Sequence, residues 1–226
     1  MISLEVFLLL ATFSAAAILP TGSSSRDDVG SQADMNDVYA HMANYTFGDI
    51  EWRGFEGFED TVFTGTIEDV IHQMKEIKGV NFVPDFVRKA EAEIETRIIQ
   101  AQDVPQPPST NLQMSCIRDG LSAALLIPIR NGVRYLQHLS DSVVCQNGPG
   151  PDNCGRISCS DTSGIWFCNE NAAPSAPFKC SIFAFYASNI AETCWYDKGM
   201  ATLTEGQQYD LDYGISTLVK SEIYKC

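Results

Sequence analysis

Histidine is the side chain most readily recruited for acid–base work near neutral pH, and this chain carries three: His41, His72 and His138. None stands in a Gly-rich nucleophile motif. His72 follows Asp69 by three residues on the polar side of a helical stretch, the spacing of an ordinary surface pair. His138 ends another helical stretch, where a cationic ring favours the helix dipole, and His41 lies in a weakly patterned segment. No Ser/His/Asp or Cys/His constellation is read from them, so the expectation is no catalytic residue. The 29 Asp and Glu residues are so abundant that a glycosidase-like pair could be drawn anywhere, and abundance carries no signal. Four residues separate Cys154 from Cys159 and eight separate Cys159 from Cys168, which matches no zinc finger or ribbon. No phosphate-cradling glycine loop is present, so neither a metal nor a cofactor is expected. One polar triplet remains, Asn169-Glu170-Asn171, whose amides and carboxylate are candidate ligand contacts. The plainer reading is favoured for it: such side chains at a strand exit hydrogen-bond the loop backbone.

Cysteine is the residue type that organises the chain. There are eight, an even number, and all of them lie between Cys116 and Cys226. Arg156–Ser160 and Gly164–Cys168 read as short strands joined by the turn residues Asp161-Thr162-Ser163-Gly164. If Ser160 pairs with Ile165, then Ile157, Cys159, Trp166 and Cys168 share one face. A helix follows, capped by Ser175 with Pro177 in its first turn. Cys180, Ala184, Ala187, Ile190, Ala191 and Cys194 form its apolar stripe. Cys159 and Cys168 are therefore expected to bond Cys180 and Cys194, in one order or the other. Cys116 and Cys145 bound an intervening unit and pair with each other, which leaves Cys154 for Cys226 by elimination.

Those staples imply an oxidising compartment, and the N-terminus agrees. Residues 1–17 hold an apolar run, Val6–Phe13, ending in Ala15-Ala16-Ala17, and read as a signal peptide. The run is too short to span a bilayer, and no later stretch is long enough, so no membrane span is expected. The formal net charge is −14, with 17 acidic against 7 basic residues between Ile18 and Thr110. Without clustered Lys and Arg, nucleic acid is not an expected partner. Asn44-Tyr45-Thr46 is a glycosylation sequon at Asn44.

The elements are expected in this order. Residues 18–65 form an acidic, partly disordered leader and an aromatic loop carrying Gly54-Phe55-Glu56 and Gly57-Phe58-Glu59. Residues 66–110 are helical. The first helix starts at Thr66 with Asp69 in the capping-box position, buries Ile67, Val70, Ile71, Met74 and Ile77, and ends at Gly79. The second runs over about Pro84–Gln102, and Pro105, Pro107 and Pro108 then mark a linker. Residues 111–226 are the stapled α+β domain. In it Cys116–Leu139 is helical but split near Ile127 by Pro128. Gln207–Leu211 and Ile215–Lys220 form a second hairpin about Asp212-Tyr213-Gly214. The fold class is α+β: a small antiparallel sheet of two hairpins packed on a disulfide-stapled helix and preceded by a mainly helical N-terminal segment. Proteolysis is expected to cut between Asp103 and Asn111 and leave Cys116–Cys226 intact.

CGRISCS, IWFCNEN, the Ala-rich helix bounded by cysteines, Gly206-Gln207-Gln208-Tyr209 and a last strand ending in Cys226 resemble a family. It is a group of secreted cysteine-rich proteins of filamentous fungi with patterns such as CGRVSCS and CNDN. The resemblance covers about Ile129–Cys226, and Glu170 stands where the pattern has Asp. It implies export and no established biochemical activity, and some members are regarded as candidate effectors. The function expected is that of a secreted, non-enzymatic, effector-like protein. Its partner is expected to be a host or competitor protein or a cell-surface component. A killer-toxin-like α/β sandwich is the first alternative. A secreted hydrolase or carbohydrate-binding protein, stacking sugars on Trp52, Trp166 or Trp195, is the second.

Overall fold

The computed structural model describes residues 45–94, 104, 106–117, 123–221 and 226. The signal peptide, most of the leader, Asn44 and His41 lie outside the described residues. In chain order come β1 (Thr46–Gly48), β2 (Glu51–Arg53), β3 (Phe63–Thr64), α1 (Ile67–Lys78) and α2 (Asp85–Ile94). Next are β4 (Leu112–Cys116), β5 (Ala124–Leu125), α3 (Leu126–Gln137), β6 (Val144–Gln146), β7 (Asn153–Ser160), β8 (Ser163–Asn169) and β9 (Phe178–Lys179). Last come α4 (Ile182–Thr193), β10 (Trp195–Lys198), β11 (Ala201–Thr204), β12 (Gly206–Asp210) and β13 (Ile215–Ser221). The class is α+β, with mostly antiparallel pairing. The largest sheet runs β1-β7-β8-β13-β12-β4, and smaller ones run β10-β11-β5 and β3-β2-β6-β9. Among the described residues only β1 with β7 is parallel.

Several elements form for the local reasons already given. The Thr66 hydroxyl accepts from the Asp69 amide at 3.2 Å while the Asp69 carboxylate takes the Thr66 amide at 2.9 Å, a closed capping box. Ile67, Val70 and Met74 are buried, whereas Ile77, expected on the same stripe, is 57% exposed. In α3 the helix begins at Leu126, so Pro128 sits in the first turn, where its missing N–H costs little. Ile129, Val133 and Leu136 turn inward as expected. Along α4, Cys180, Ala184, Ala187, Ile190, Ala191 and Cys194 are all buried. That helix starts only at Ile182, because Phe178–Lys179 is drawn into a strand and Ser175 instead exchanges hydrogen bonds with Asn147.

The first hairpin is tighter than expected, and the difference reorganises the staples. Ser160 pairs with Ser163, leaving a two-residue turn in which Asp161 (φ 45°) and Thr162 (φ 60°) both take the left-handed region. Cys159 thus faces Gly164, and the register slips between Arg156 and Ser158, so that Cys154 faces Cys168. The slip is a β-bulge at Ile157, which sends Ile157 and Ser158 to the same side. Ile157 joins Ile165, Phe167, Ile215 and Val219 beneath α3 and α4. Trp166, Cys168, Cys154 and Leu218 gather on the opposite, outer face. Cys159 and Cys168 therefore point away from α4, and the bonds expected to Cys180 and Cys194 do not form.

Three disulfides are present instead: Cys154–Cys168, Cys159–Cys226 and Cys116–Cys194. The first two lie on the outer face. The third is on the helix side, where Cys116 stands opposite Gly206 beside the end of α4. The expected Cys116–Cys145 and Cys154–Cys226 pairs are replaced, and Cys145 and Cys180 are buried free thiols. Cys116 reaches Cys194 because it ends strand Leu112–Cys116, paired with β12 along its whole length. The helix expected from Cys116 is therefore absent at Cys116 and at Ala124–Leu125, which pairs with β11 instead, because cross-strand pairing overrides local preference there.

The N-terminal segment belongs to the same core as the rest. β1 adds to the large sheet beside β7, and Trp52 on β2 faces Cys145 on β6. Ile50, Trp52, Phe55, Phe58, Phe63, Ile67 and Val70 share one apolar cluster with Ile129, Phe167 and Phe183. The repeated Gly-Phe-Glu loop pins itself by its aromatics, Phe55 and Phe58 each meeting Phe63 edge-on. The Pro-rich linker is held too: Thr110 and Asn111 amides donate to the Asp212 carboxylate at 3.0 and 3.2 Å. The proposed cut before Asn111 therefore does not separate two independently packed bodies.

Candidate functional site

Alternation along β12 and β13 places Gln207, Tyr209, Ser216 and Leu218 on the outer face of the large sheet. Cross-strand pairing then aligns Tyr209 with Ser216 and Ser216 with Cys168, itself bonded to Cys154. Tyr45, just before β1, leans onto this row. The result is a one-way hydrogen-bond chain. Tyr45 donates its hydroxyl to Gln207 Oε1 at 3.1 Å, Gln207 Nε2 donates to Ser216 Oγ at 2.8 Å, and Ser216 donates to Glu170 Oε1 at 2.5 Å. Gln207 and Ser216 are fully buried, while Tyr45, Tyr209 and Glu170 are half-buried and form the rim.

Burial sets the electrostatics. The Glu170 carboxyl is raised above its ordinary range first by loss of water, with Asp152 adding to the rise and the Ser216 hydroxyl opposing it. Burial also raises the Tyr45 phenol. The Tyr209 phenol is pushed up to about 12 by burial and by its neighbours Tyr45 and Glu170. A carboxyl beside two un-ionised phenols places hydrogen-bond acceptors and donors together at the rim. Ser216 donating to a carboxylate has the outline of a nucleophile and its base, but its hydroxyl is committed and it has no exposed surface for a substrate to reach.

The polar triplet divides. Asn169 is buried and donates its amide to the Gly148 and Ala173 carbonyls, each at 2.7 Å, while its Oδ1 accepts from the Asn171 amide. Asn171 donates to the Tyr213 and Gly214 carbonyls at 3.1 and 2.9 Å. Both asparagines clamp loops, and Glu170 alone faces the outer chain. Tyr45, Gln207, Tyr209 and Ser216 were missed as a group. The period-two alternation of both strands puts the last three on one face, but nothing local says that β13 lies beside β8. The histidines lie elsewhere: His72 meets Glu76 at 3.5 Å, not Asp69, which caps α1, and His138 meets Glu93 at 3.2 Å.

Beside this chain the outer face is aromatic. Phe47 packs edge-on against Trp166 with ring centres 5.2 Å apart, and the Arg156 guanidinium lies 5.7 Å from the Trp166 ring. Among the described residues no group of three or more His, Cys, Asp or Glu is placed to hold a metal ion. Among the same residues no helix is long and apolar enough to cross a membrane. No family model, no curated protein and no solved structure matches this chain.

Proposed function

We propose that this chain is an exported, disulfide-stapled interaction protein, effector-like, which binds a host or competitor protein or cell-surface component and performs no catalysis. One observation carries the reading: the outer sheet face, braced by Cys154–Cys168 and Cys159–Cys226, presents Glu170, Tyr45 and Tyr209 at its surface over a buried chain of hydrogen bonds. Fixing polar groups before a partner arrives lowers the ordering cost of binding, and cross-links do that for a sheet face. Export accounts for the disulfides, which persist in oxidising compartments.

The test is binding of fluorescently labelled protein to intact host cells and to cells of neighbouring fungi. Saturable binding to one class is expected, reduced at least tenfold by Glu170→Gln combined with Tyr209→Phe. The variant must keep the wild-type disulfide map. Turnover in a generic hydrolase panel, without saturable binding, would replace this reading by the hydrolase one. A toxin reading has its own support in two helices, α3 and α4, laid against one face of a mostly antiparallel sheet. Growth inhibition of yeast or neighbouring fungi by the purified protein would favour it.

A further inference from the structure

Two buried thiols are left once the three disulfides are drawn, and they stand on neighbouring strands. β6 and β9 pair with Cys145 opposite Phe178 and Val144 opposite Lys179. The ladder continues one step further, where the Cys180 amide donates to the Val143 carbonyl at 3.1 Å. Cys180 is therefore two residues beyond the partner of Cys145, a diagonal neighbour on the same face. Its Sγ lies 4.0 Å from the carbonyl of Phe178, the residue opposite Cys145. Flat-strand diagonals are usually too wide for a disulfide. Here, however, β9 stops at Lys179 and the chain turns into α4, the Phe183 amide donating to the Cys180 carbonyl at 3.2 Å. Burial raises the Cys180 thiol first, and its neighbour Cys145 raises it further. Both belong to the main apolar cluster, with no more than 1% of either exposed.

We propose that Cys145 and Cys180 close a fourth disulfide, formed as the chain folds. The geometry gives this bond a place in the fold. Cys194, at the end of α4, is already tied to β4 of the large sheet. A bond from Cys180 would tie the start of the same helix to β6, in the sheet that carries β2 and β3. Each end of α4 would then be fixed covalently to a different sheet. The oxidant is a disulfide of the exporting compartment, a protein dithiol oxidase or a low-molecular-weight disulfide. One cysteine thiolate attacks it and expels one thiolate. The second cysteine thiolate then attacks the mixed disulfide, forming the Cys145–Cys180 bond and releasing the other. Two electrons and two protons pass to the oxidant, which leaves as two thiols. Because both cysteines are sealed in the native core, the exchange precedes the docking of α4.

The test uses the full chain secreted from a eukaryotic host through its own leader, denatured without reductant and treated with iodoacetamide. No cysteine should take up label, and the intact mass should be two hydrogens below that of a three-disulfide chain. A proteolytic digest should contain one peptide joining Cys145 to Cys180. The Cys145→Ser variant should take up one label, at Cys180. Two labels on the wild-type chain, at Cys145 and Cys180, overturn the proposal. A digest joining either cysteine to any other partner overturns it as well. The wild-type measurement alone decides if the variant is not secreted.

Discussion

Glu68 holds the bulge of the first hairpin from ninety residues away, its carboxylate accepting the Ser158 hydroxyl at 2.7 Å and the Cys159 amide at 3.0 Å. The bulge breaks the ladder and leaves backbone groups that the neighbouring strand cannot satisfy. A carboxylate from the first turn of α1 supplies what is missing, so the N-terminal segment completes the stapled sheet. Glu68→Ala leaves a buried hydroxyl and a buried amide without their acceptor, at roughly 1–3 kcal/mol for each. The expected outcome is a melting temperature several degrees lower, with all disulfides retained. Limited proteolysis of the wild-type protein should release no stable Cys116–Cys226 fragment under native conditions. Recovery of such a fragment, folded and resistant, would show that the shared core contributes little.

Glu170 gives a pH dependence with a definite sign. Its folded carboxyl is raised above the ordinary 4.5 by burial, so the folded chain holds a proton that the unfolded chain has already lost. Stability from this group is therefore full at low pH and declines as pH climbs from about 4.5 through the raised value. Glu68, also raised by burial, adds a decline of the same sign. Asp212, lowered chiefly by the Thr110 amide, acts oppositely and loses its contribution only below its ordinary 3.8. Glu170→Gln keeps an acceptor for Ser216 and removes the titration. The difference in melting temperature, variant minus wild type, should grow as pH rises from about 4.5 to neutrality. A difference that stays flat or shrinks contradicts the assignment.

Cys226, the last residue, is anchored by Cys159 on the outer face. Replacing Cys159 by Ser should free one alkylatable thiol more than in the wild type, at Cys226. The cost should be about 2–5 kcal/mol, the usual range for a native disulfide in a small secreted domain. Thermal melting and thiol labelling with peptide mapping read both effects. Label gained at Cys194 instead would restore a hairpin-to-helix staple that the bulge rules out here.

Thr162 occupies the left-handed region at φ 60°, an unfavourable place for a β-branched residue. Thr162→Gly should raise stability by up to about 1 kcal/mol, the relief of left-handed strain set against the extra freedom of glycine in the unfolded chain. A loss of stability on denaturant titration would mean that the turn does not have this conformation.

What the sequence determined by itself lies within single elements. The Thr66–Asp69 capping box, the Ala-rich stripe of α4 and the inward residues of α3 depend only on groups three or four positions apart. The strands of both hairpins and the turn at Asp212-Tyr213-Gly214 depend only on period-two alternation and on a glycine able to take positive φ, as Gly214 does at 63°. The tertiary structure alone decided what joins these pieces. A turn two residues tighter and a single bulged residue kept Cys159 and Cys168 together but moved Ile157 to the opposite face. That change of face redirected two disulfides, because a side chain on a strand can reach only what lies on its own side. Leu112–Cys116 became a strand because β12 offered it a ladder, and Tyr45, Gln207, Ser216 and Glu170 met because β13 lies beside β8. Register and adjacency between distant segments are set by the packing of the whole core, and no local pattern encodes them.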